Sequence, residues 1–178
     1  MKRRRFVQNT ALFAAANLAT QGFSIGSNMF SVSKVRLGFI GVGARGLGTM
    51  ELAMMRQDIE VVAICDIDHV TLGRALDMIT KAGRKKPAVY SDGEYDFKRL
   101  LLDKNVDAVM ICTPWEWHTP MSVAAMKSGK AVACEVAGAM SLDECWQLVR
   151  TQEETGTPFM IMENVCYRRD IMAVLNMV

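Results

Sequence analysis

The segment GVGARG, residues 41–46, has the glycine spacing of a turn that holds phosphate groups. It directly follows an apolar run and opens a helical pattern, which is the context that such a turn requires. Gly41 would allow a tight turn, Gly43 would leave room for a pyrophosphate, and Gly46 would let the helix approach the strand. The N–H groups at the start of that helix would attract the phosphates. These residues predict a dinucleotide-binding turn.

Asp66 ends the second apolar run, about 20 residues beyond the glycine turn. A carboxylate at this position accepts hydrogen bonds from ribose hydroxyls and repels a 2′-phosphate, so it favours NAD over NADP. Arg45, inside the turn, would contact the pyrophosphate or partly relieve that preference. The alternative is a tight turn beside a strand-end aspartate, with no ligand.

Polar and aromatic residues follow three later apolar runs in the same way. TPWEWHTP, residues 113–120, follows DAVMIC, Glu135 lies at the end of the next run, and Glu163 and Asn164 follow FMIM. Ligands of an open α/β sheet lie outside the carboxyl ends of its strands. The three positions therefore outline one site on the edge that carries the glycine turn. For TPWEWHTP, the alternative is an aromatic corner that is packed for structure alone.

From Val35 onward, short apolar runs alternate with helical stretches. The runs lack polar–apolar alternation, as expected of parallel strands that helices cover on both faces. The predicted strands are residues 35–40, 60–65, 87–90, 107–112, 131–136 and 159–162. The predicted helices are residues 46–57, 70–82, 96–102, 118–128 and 141–155. This series predicts an α/β fold with a Rossmann-type, doubly wound and mostly parallel sheet.

Two of these helices carry capping signals. Ser141, with Glu144 three residues later, forms a capping box at the start of the last helix. Gly129 and Gly156 stand where C-terminal glycines belong.

The first 33 residues contain four basic residues and no acid, and they predict a targeting segment. Arg3 and Arg4, followed by the short apolar run TALFAAANLAT, predict a twin-arginine signal that ends near residues 31–33. The expected location is therefore the periplasm or the cell envelope of a bacterium. The run is too short to span a bilayer of about 30 Å, so no stable membrane span is expected. The alternative is a basic leader that stays attached.

The rest of the chain excludes several classes of site. From Lys34 onward, 17 basic residues face 19 acidic ones, a net charge of −2 that gives no reason to expect nucleic acid. The five cysteines form no CxxC pair and three lie in apolar runs, which indicates buried free thiols and no metal site. The acidic residues Asp92, Glu94 and Asp96 predict a solvated loop, with a metal site as the alternative.

The motifs GFIGVGARG, TPWEWHTP, GKAVACEVAGAM and MENVCYRRD, together with Asp66, resemble the Gfo/Idh/MocA oxidoreductases. Within that group they are most similar to the NAD-dependent α-N-acetylgalactosaminidases, glycoside hydrolase family 109. The resemblance extends from Val35 to the last residue, and it implies NAD as the cofactor. The cofactor contacts that it implies are Ala44, Arg45, Asp66, Trp115, Glu116, Trp117, His118, Glu135, Val136 and Asn164, with those from Trp115 onward on the nicotinamide side.

The resemblance also implies an unusual enzyme chemistry. The wider group commonly has Glu-Lys-Pro where this chain has Glu135-Val136-Ala137, and the lysine often assists hydride transfer. Its absence agrees with the glycosidase branch, in which an α-N-acetylgalactosaminide is oxidised at C3, loses its aglycone by elimination, adds water and is reduced again. His118 is the catalytic candidate within the chain, and the other acid–base residues are expected beyond residue 178.

These expectations divide the chain into a signal peptide (residues 1–33), an NAD-binding Rossmann domain (residues 34–165) and the start of a crossover (residues 166–178). The second α/β domain, which would bind the small-molecule glycoside, is expected to be missing, so the chain would be a fragment that is inactive alone. A homo-oligomer of the full-length protein stays open. The alternatives are an NAD-dependent sugar dehydrogenase or epimerase of the same group, and a non-catalytic dinucleotide-binding module.

Overall fold

The structure, a computed structural model, describes residues 34–177. The predicted signal peptide and its cleavage site lie outside the described residues. The elements are β1 (Val35–Ile40), α1 (Ala44–Met54), β2 (Ile59–Cys65), α2 (His69–Lys81), β3 (Ala88–Tyr90), α3 (Phe97–Leu102), β4 (Ala108–Ile111), α4 (Trp115–Lys127), β5 (Ala131–Cys134), α5 (Leu142–Thr155), β6 (Phe159–Ile161), a 3₁₀ turn (Val165–Tyr167) and α6 (Arg169–Leu175). Within this part of the chain, no helix is both long and apolar enough to cross a membrane.

The six strands form one sheet in the order β3-β2-β1-β4-β5-β6, and every strand pair is parallel. The chain builds one half of the sheet outward from β1 to β3 and then returns to place β4 on the other side of β1. The strand order therefore reverses between β1 and β4, where Ile40 pairs with Ile111. This arrangement confirms the predicted doubly wound α/β fold, and it brings the carboxyl ends of all six strands to one edge.

Each face of the sheet has its own apolar core, because successive residues of a strand point to opposite faces. Phe39 packs with Met50 of α1 and Ile79 of α2 on one face, while Ile40 packs with Leu100 of α3 and Met126 of α4 on the other. The continuous apolar runs in the sequence are thus explained, since neither face of the central strands meets solvent.

The start of α5 and the ends of α4 and α5 lie at the capping residues predicted from the sequence. Ser141 Oγ accepts a hydrogen bond from Glu144 N at 3.2 Å, and the Glu144 carboxylate accepts one from Met140 N at 2.6 Å. Gly129 and Gly156 end α4 and α5 with φ of 71° and 66°. The predicted capping signals are confirmed.

The start of α4 differs from the sequence prediction. The helix begins at Trp115 and not at His118, with Pro114 as its N-cap residue. Pro120 falls in the second turn of the helix, where its missing N–H removes one intrahelical hydrogen bond without ending the helix. The WEWH segment is therefore the first turn of α4 and no part of it is a loop.

Candidate functional site

Two glycines of the turn between β1 and α1 are required by the fold itself. Gly41 has a φ of 86°, and a Cβ placed there would lie 2.7 Å from the backbone carbonyl of Cys112. A Cβ on Gly46 would lie 2.1 Å from Gly41 O, so the helix could not pack against the turn. Both roles agree with those predicted from the spacing.

Gly43 differs from these two glycines, because a Cβ at this position would meet no protein atom within 4 Å. Nothing in the described protein therefore requires a glycine here. The space beside Gly43 is open at the point where the turn enters α1. A pyrophosphate fits this observation, because it is the group whose close approach a side chain would block.

The N-terminus of α1 presents free N–H groups at the same point. Gly43 is its N-cap residue and offers no side-chain acceptor to the first-turn N–H groups of Ala44 and Arg45. The helix has 11 residues, so its dipole places a partial positive charge at this end. The turn can therefore bind an anion with backbone donors alone.

Asp66 is oriented by the turn that it faces. Its Oδ2 accepts a hydrogen bond from Val42 N at 2.8 Å, and its Oδ1 accepts one from Asp68 N at 3.0 Å. Each carboxylate oxygen keeps a further lone pair for an additional donor. The carboxylate is thus fixed at the end of β2 in the position from which it would accept ribose hydroxyls.

A cleft of about 190 Å³ joins these features at the carboxyl edge of the sheet. Its lining includes Gly43, Asp66, Thr113 and Trp117, together with Gly93 from the loop after β3. A wider groove of about 630 Å³ lies between α1 and α2 and contains none of the predicted site residues. The smaller cleft is the functional candidate, because ligands of doubly wound sheets bind where the strand order reverses.

The first three residues of WEWH, Trp115, Glu116 and Trp117, differ in their environments. Trp117 lines the cleft and makes edge contacts with Tyr95 and Phe97 at centroid distances of 5.7 and 6.2 Å. Trp115 is 58% exposed and Glu116 is exposed, both outside the cleft lining. Trp117 therefore combines the two alternatives considered for this segment, since it packs in an aromatic cluster and also forms a wall of the cleft.

His118 is buried, and its ring is committed to backbone contacts. The side chain is 1% exposed, with Nδ1 at 2.7 Å from Ala137 O and Nε2 at 2.8 Å from Thr113 O. The neighbouring Thr119 donates a hydrogen bond to Gly138 O at 3.1 Å. The side-chain roles predicted for His118, acid–base catalysis and cofactor contact, stay predictions, and both ring nitrogens lie within hydrogen-bond distance of backbone carbonyl oxygens. The side chain ties α4 to the loop after β5.

Glu135 and Arg45 contact each other. Arg45 Nε donates a hydrogen bond to Glu135 Oε1 at 2.8 Å, across 90 residues of sequence. The Glu135 side chain is 7% exposed, whereas that of Arg45 is 55% exposed. The hydrogen bond from Arg45 to the Glu135 carboxylate raises the pKa of Arg45 above its ordinary value. Two residues that were predicted as separate cofactor contacts are thus one ion pair.

Two further predicted contacts, Val136 and Asn164, are not among the residues that line the cleft. Val136 follows Glu135 and is half-buried, and Asn164 is exposed after β6, at the outer edge of the sheet. Both lie at the carboxyl edge, as predicted, but neither lines the cleft beside Gly43 and Asp66. The structure therefore brings together the glycine turn, Asp66 and Trp117, and leaves Val136 and Asn164 on the side of β5 and β6.

Sequence reasoning missed the loop after β3. Gly93 and Glu94 line the cleft near Asp66, although the segment had been interpreted as a solvated loop. Asp96 in this loop is 5% exposed, accepts a hydrogen bond from Asp92 N at 2.9 Å and pairs with Arg99. The solvated-loop prediction is wrong for Asp96. The available signal was the end of β3, which places the loop at the same edge as the other strand ends.

Three of the cysteines lie at the ends of β2, β4 and β5, where Cys65 and Cys134 are buried and Cys112 is half-buried. Burial raises the pKa of Cys65 and of Cys112 to about 12 and that of Cys134 to about 11, so all three stay protonated at neutral pH. The prediction of buried thiols fits Cys65 and Cys134 but not Cys145, which is exposed, and Cys166 is half-buried. Across residues 34–177, no group of three or more His, Cys, Asp or Glu side chains is placed to hold a metal ion.

A glycine turn after β1, an acid after β2 and a cleft at the reversal of strand order together define a dinucleotide-binding Rossmann domain. A family model described as "Oxidoreductase family, NAD-binding Rossmann fold" matches residues 35–163. The chain belongs to this family, the Gfo/Idh/MocA oxidoreductases, and its cofactor is NAD.

Relatives and solved structures agree with this family. A glycosyl hydrolase family 109 protein of Stenotrophomonas maltophilia is 48% identical over the whole chain, and one of Shewanella pealeana is 41% identical. The chain spans 39% and 42% of their lengths. The WlbA dehydrogenase of Chromobacterium violaceum, solved with NADH and UDP-GlcNAcA, is similar in structure with a TM-score of 0.68 and 18% sequence identity. The match covers 80% of this chain and 39% of the WlbA chain. A myo-inositol 2-dehydrogenase of Lactobacillus plantarum matches 81% of this chain and 40% of its own, with a TM-score of 0.67 and 23% identity.

Proposed function

We propose that this chain is the NAD-binding domain of a glycoside hydrolase that cleaves α-N-acetylgalactosaminides. The observation that carries the proposal is the 48% identity to a glycosyl hydrolase family 109 protein over the full length of the chain. The residue after Glu135 supports it, because Val136 stands where a lysine assists hydride transfer in many dehydrogenases of the wider group.

NAD supplies a reversible hydride transfer, by which the sugar 3-hydroxyl becomes a ketone and is later restored. The chain's own residues bind and orient. Asp66 would accept hydrogen bonds from the adenosine ribose, the first turn of α1 would hold the pyrophosphate, and Trp117 lines the same cleft. The residues that line the described cleft include no lysine and no histidine. We propose that the groups for the proton transfers of the elimination lie in the part of the relatives that this chain does not span.

Cofactor binding is tested by replacing Gly43 with alanine. The added Cβ meets no protein atom within 4 Å, so Gly43→Ala should fold normally. If the pyrophosphate occupies the open space, the methyl group will lower NAD affinity by at least about tenfold. Gly48→Ala is the matched control, since its Cβ also meets no atom within 4 Å and it lies in the same helix. Equal NAD affinity in both variants, measured by calorimetric titration, would contradict the assigned pyrophosphate site.

The reaction is tested on the complete protein that carries this chain. Hydrolysis of an aryl α-N-acetylgalactosaminide without net formation of NADH would support the glycosidase, because each hydride is returned to the sugar. Net NADH from a free sugar would instead identify a dehydrogenase. NAD binding with no turnover of either substrate would identify a non-catalytic binding module. The 178-residue chain alone is expected to bind NAD without hydrolysing the glycoside.

A further inference from the structure

The ion pair between Arg45 and Glu135 crosses the carboxyl end of β4. Arg45 lies in the first turn of α1, directly after β1, and Glu135 directly follows β5. Since β4 separates β1 from β5 in the sheet, the pair bridges two strands that are not neighbours. It therefore connects the glycine turn to the side of the sheet where the nicotinamide half of the cofactor is expected.

The two partners of the pair differ in exposure and in the hydrogen-bonding groups that remain unused. The Glu135 carboxylate is 7% exposed, and its second oxygen accepts a hydrogen bond from Val136 N at 3.3 Å. The Arg45 side chain is 55% exposed, and among the described residues only its Nε is hydrogen bonded. The guanidinium keeps its four Nη N–H donors for a ligand, whereas the buried carboxylate is largely used.

The position of Arg45 places these donors near the turn that is proposed to bind the pyrophosphate. Arg45 follows Gly43 by two residues, and Gly43 borders the open space that suits a pyrophosphate. A guanidinium held through Nε presents its Nη groups in a fixed fork that matches phosphate oxygens. The hydrogen bond to Glu135 restricts the Arg45 side chain before any ligand binds, and this reduces the side-chain entropy that is lost on binding.

We infer that Glu135 is a positioning residue for Arg45. It holds the guanidinium so that the Nη groups face the cofactor pyrophosphate, and it does not itself contact the nicotinamide half. This inference rests on the proposed NAD site. It differs from the prediction made from the sequence, in which Glu135 contacts the cofactor on the nicotinamide side.

The experiment compares the affinity of this chain for NAD and for ADP-ribose, which contains the pyrophosphate but lacks nicotinamide. Glu135→Gln should weaken the binding of both ligands by the same factor, roughly tenfold. Weaker binding of NAD with unchanged binding of ADP-ribose would overturn the inference, because it would place Glu135 against the nicotinamide. Unchanged binding of both ligands would overturn it as well.

A second set of variants tests whether Glu135 acts through Arg45. In an Arg45→Ala background, Glu135→Gln should cause no further loss, whereas independent contacts would give additive losses and overturn the inference. Arg45→Lys keeps the charge but not the fork, so it should bind both ligands more weakly and respond little to Glu135→Gln.

Asp107→Asn is the matched control, because it removes the carboxylate of an arginine pair at the opposite edge of the sheet. It should leave both affinities unchanged, and a loss equal to that of Glu135→Gln would overturn the inference by showing a general effect of destabilisation. Failure of the wild-type chain to bind either ligand would overturn the NAD site, and the inference with it.

Discussion

Two arginine–carboxylate pairs join strand ends on opposite edges of this sheet. At the amino edge, Arg36 in β1 binds Asp107, just before the adjacent strand β4, through Nη2 at 2.6 Å and Nε at 3.0 Å. At the carboxyl edge, Arg45 binds Glu135 through Nε alone at 2.8 Å. Both partners of the first pair are about 40% exposed, whereas the carboxylate of the second pair is buried.

The difference separates a structural pair from one that is suited to binding. The bidentate Arg36–Asp107 pair uses the fork of the guanidinium on a protein partner, in a position where water screens the charges. The Arg45–Glu135 pair leaves most of the fork free and buries the carboxylate that orients it. The Arg36–Asp107 pair therefore uses its donors within the protein, whereas the Arg45–Glu135 pair, at the edge where we propose the NAD site, keeps donors available for a ligand.

The largest expected effect tests how tightly the carboxyl edge is built. Gly46→Ala places a Cβ 2.1 Å from Gly41 O, so the turn or α1 must shift. We expect a loss of at least about 3 kcal/mol in the free energy of unfolding, measured by urea denaturation. Gly48→Ala, two residues along the same helix, should instead stabilise the chain by about 0.5–1 kcal/mol. Similar stabilities of the two variants would show that this edge is not constrained as the structure indicates.

The next effect comes from the contact between α4 and the loop after β5. His118→Ala removes the contacts of a buried imidazole with the carbonyl oxygens of Thr113 and Ala137 and leaves a cavity. A loss of about 3 kcal/mol in the free energy of unfolding is expected. The chain's other histidine, His69, is exposed at the start of α2 and provides the control, since His69→Ala should change stability little. An equal cost for the two variants would remove His118 from its assigned place between α4 and the loop after β5.

The smallest effect belongs to the amino edge and depends on pH. The hydrogen bond from Arg36 holds the pKa of Asp107 below its ordinary value. Because the folded pKa is lower than the unfolded pKa of about 3.9, the stabilisation is present above that pH and is lost as the pH falls through the folded value. Asp107→Asn should therefore cost several times less than His118→Ala near neutral pH and should weaken the fall in stability below about pH 4. If the stability of Asp107→Asn fell below pH 4 by as much as that of the wild-type chain, the loss at low pH would have to be assigned to other carboxylates.

The sequence was sufficient to predict the features that depend on local patterns. The glycine turn, Asp66, the alternation of strands and helices, and the cap at Ser141 follow from spacing and residue type, so their positions in the structure agree with expectation. The start of α4 was misplaced because a proline in the second turn of a helix costs only one hydrogen bond.

The partners of individual side chains could not be predicted, because they are set by segments far away in the chain. Arg45 and Glu135 are 90 residues apart, and His118 meets a carbonyl 19 residues further on. The residue type alone does not distinguish a histidine that binds a cofactor from a histidine whose ring contacts two backbone carbonyl oxygens. Asp96 presented the same difficulty. Its acidic neighbours in the sequence suggest a solvated carboxylate, whereas in the structure the carboxylate is buried and pairs with Arg99 and with the backbone N–H of Asp92.

The contacts of His118 and Thr119 also bear on how this part of the protein opens. Both side chains hold carbonyls of the loop after β5, and Thr119 is as fully buried as His118. If the loop moved away alone, the carbonyl oxygens of Ala137 and Gly138 would both lose these contacts, and the buried imidazole would keep only its contact with Thr113 O. The start of α4 and this loop are therefore expected to open as one cooperative unit, slowly and together, while the rest of the sheet stays folded.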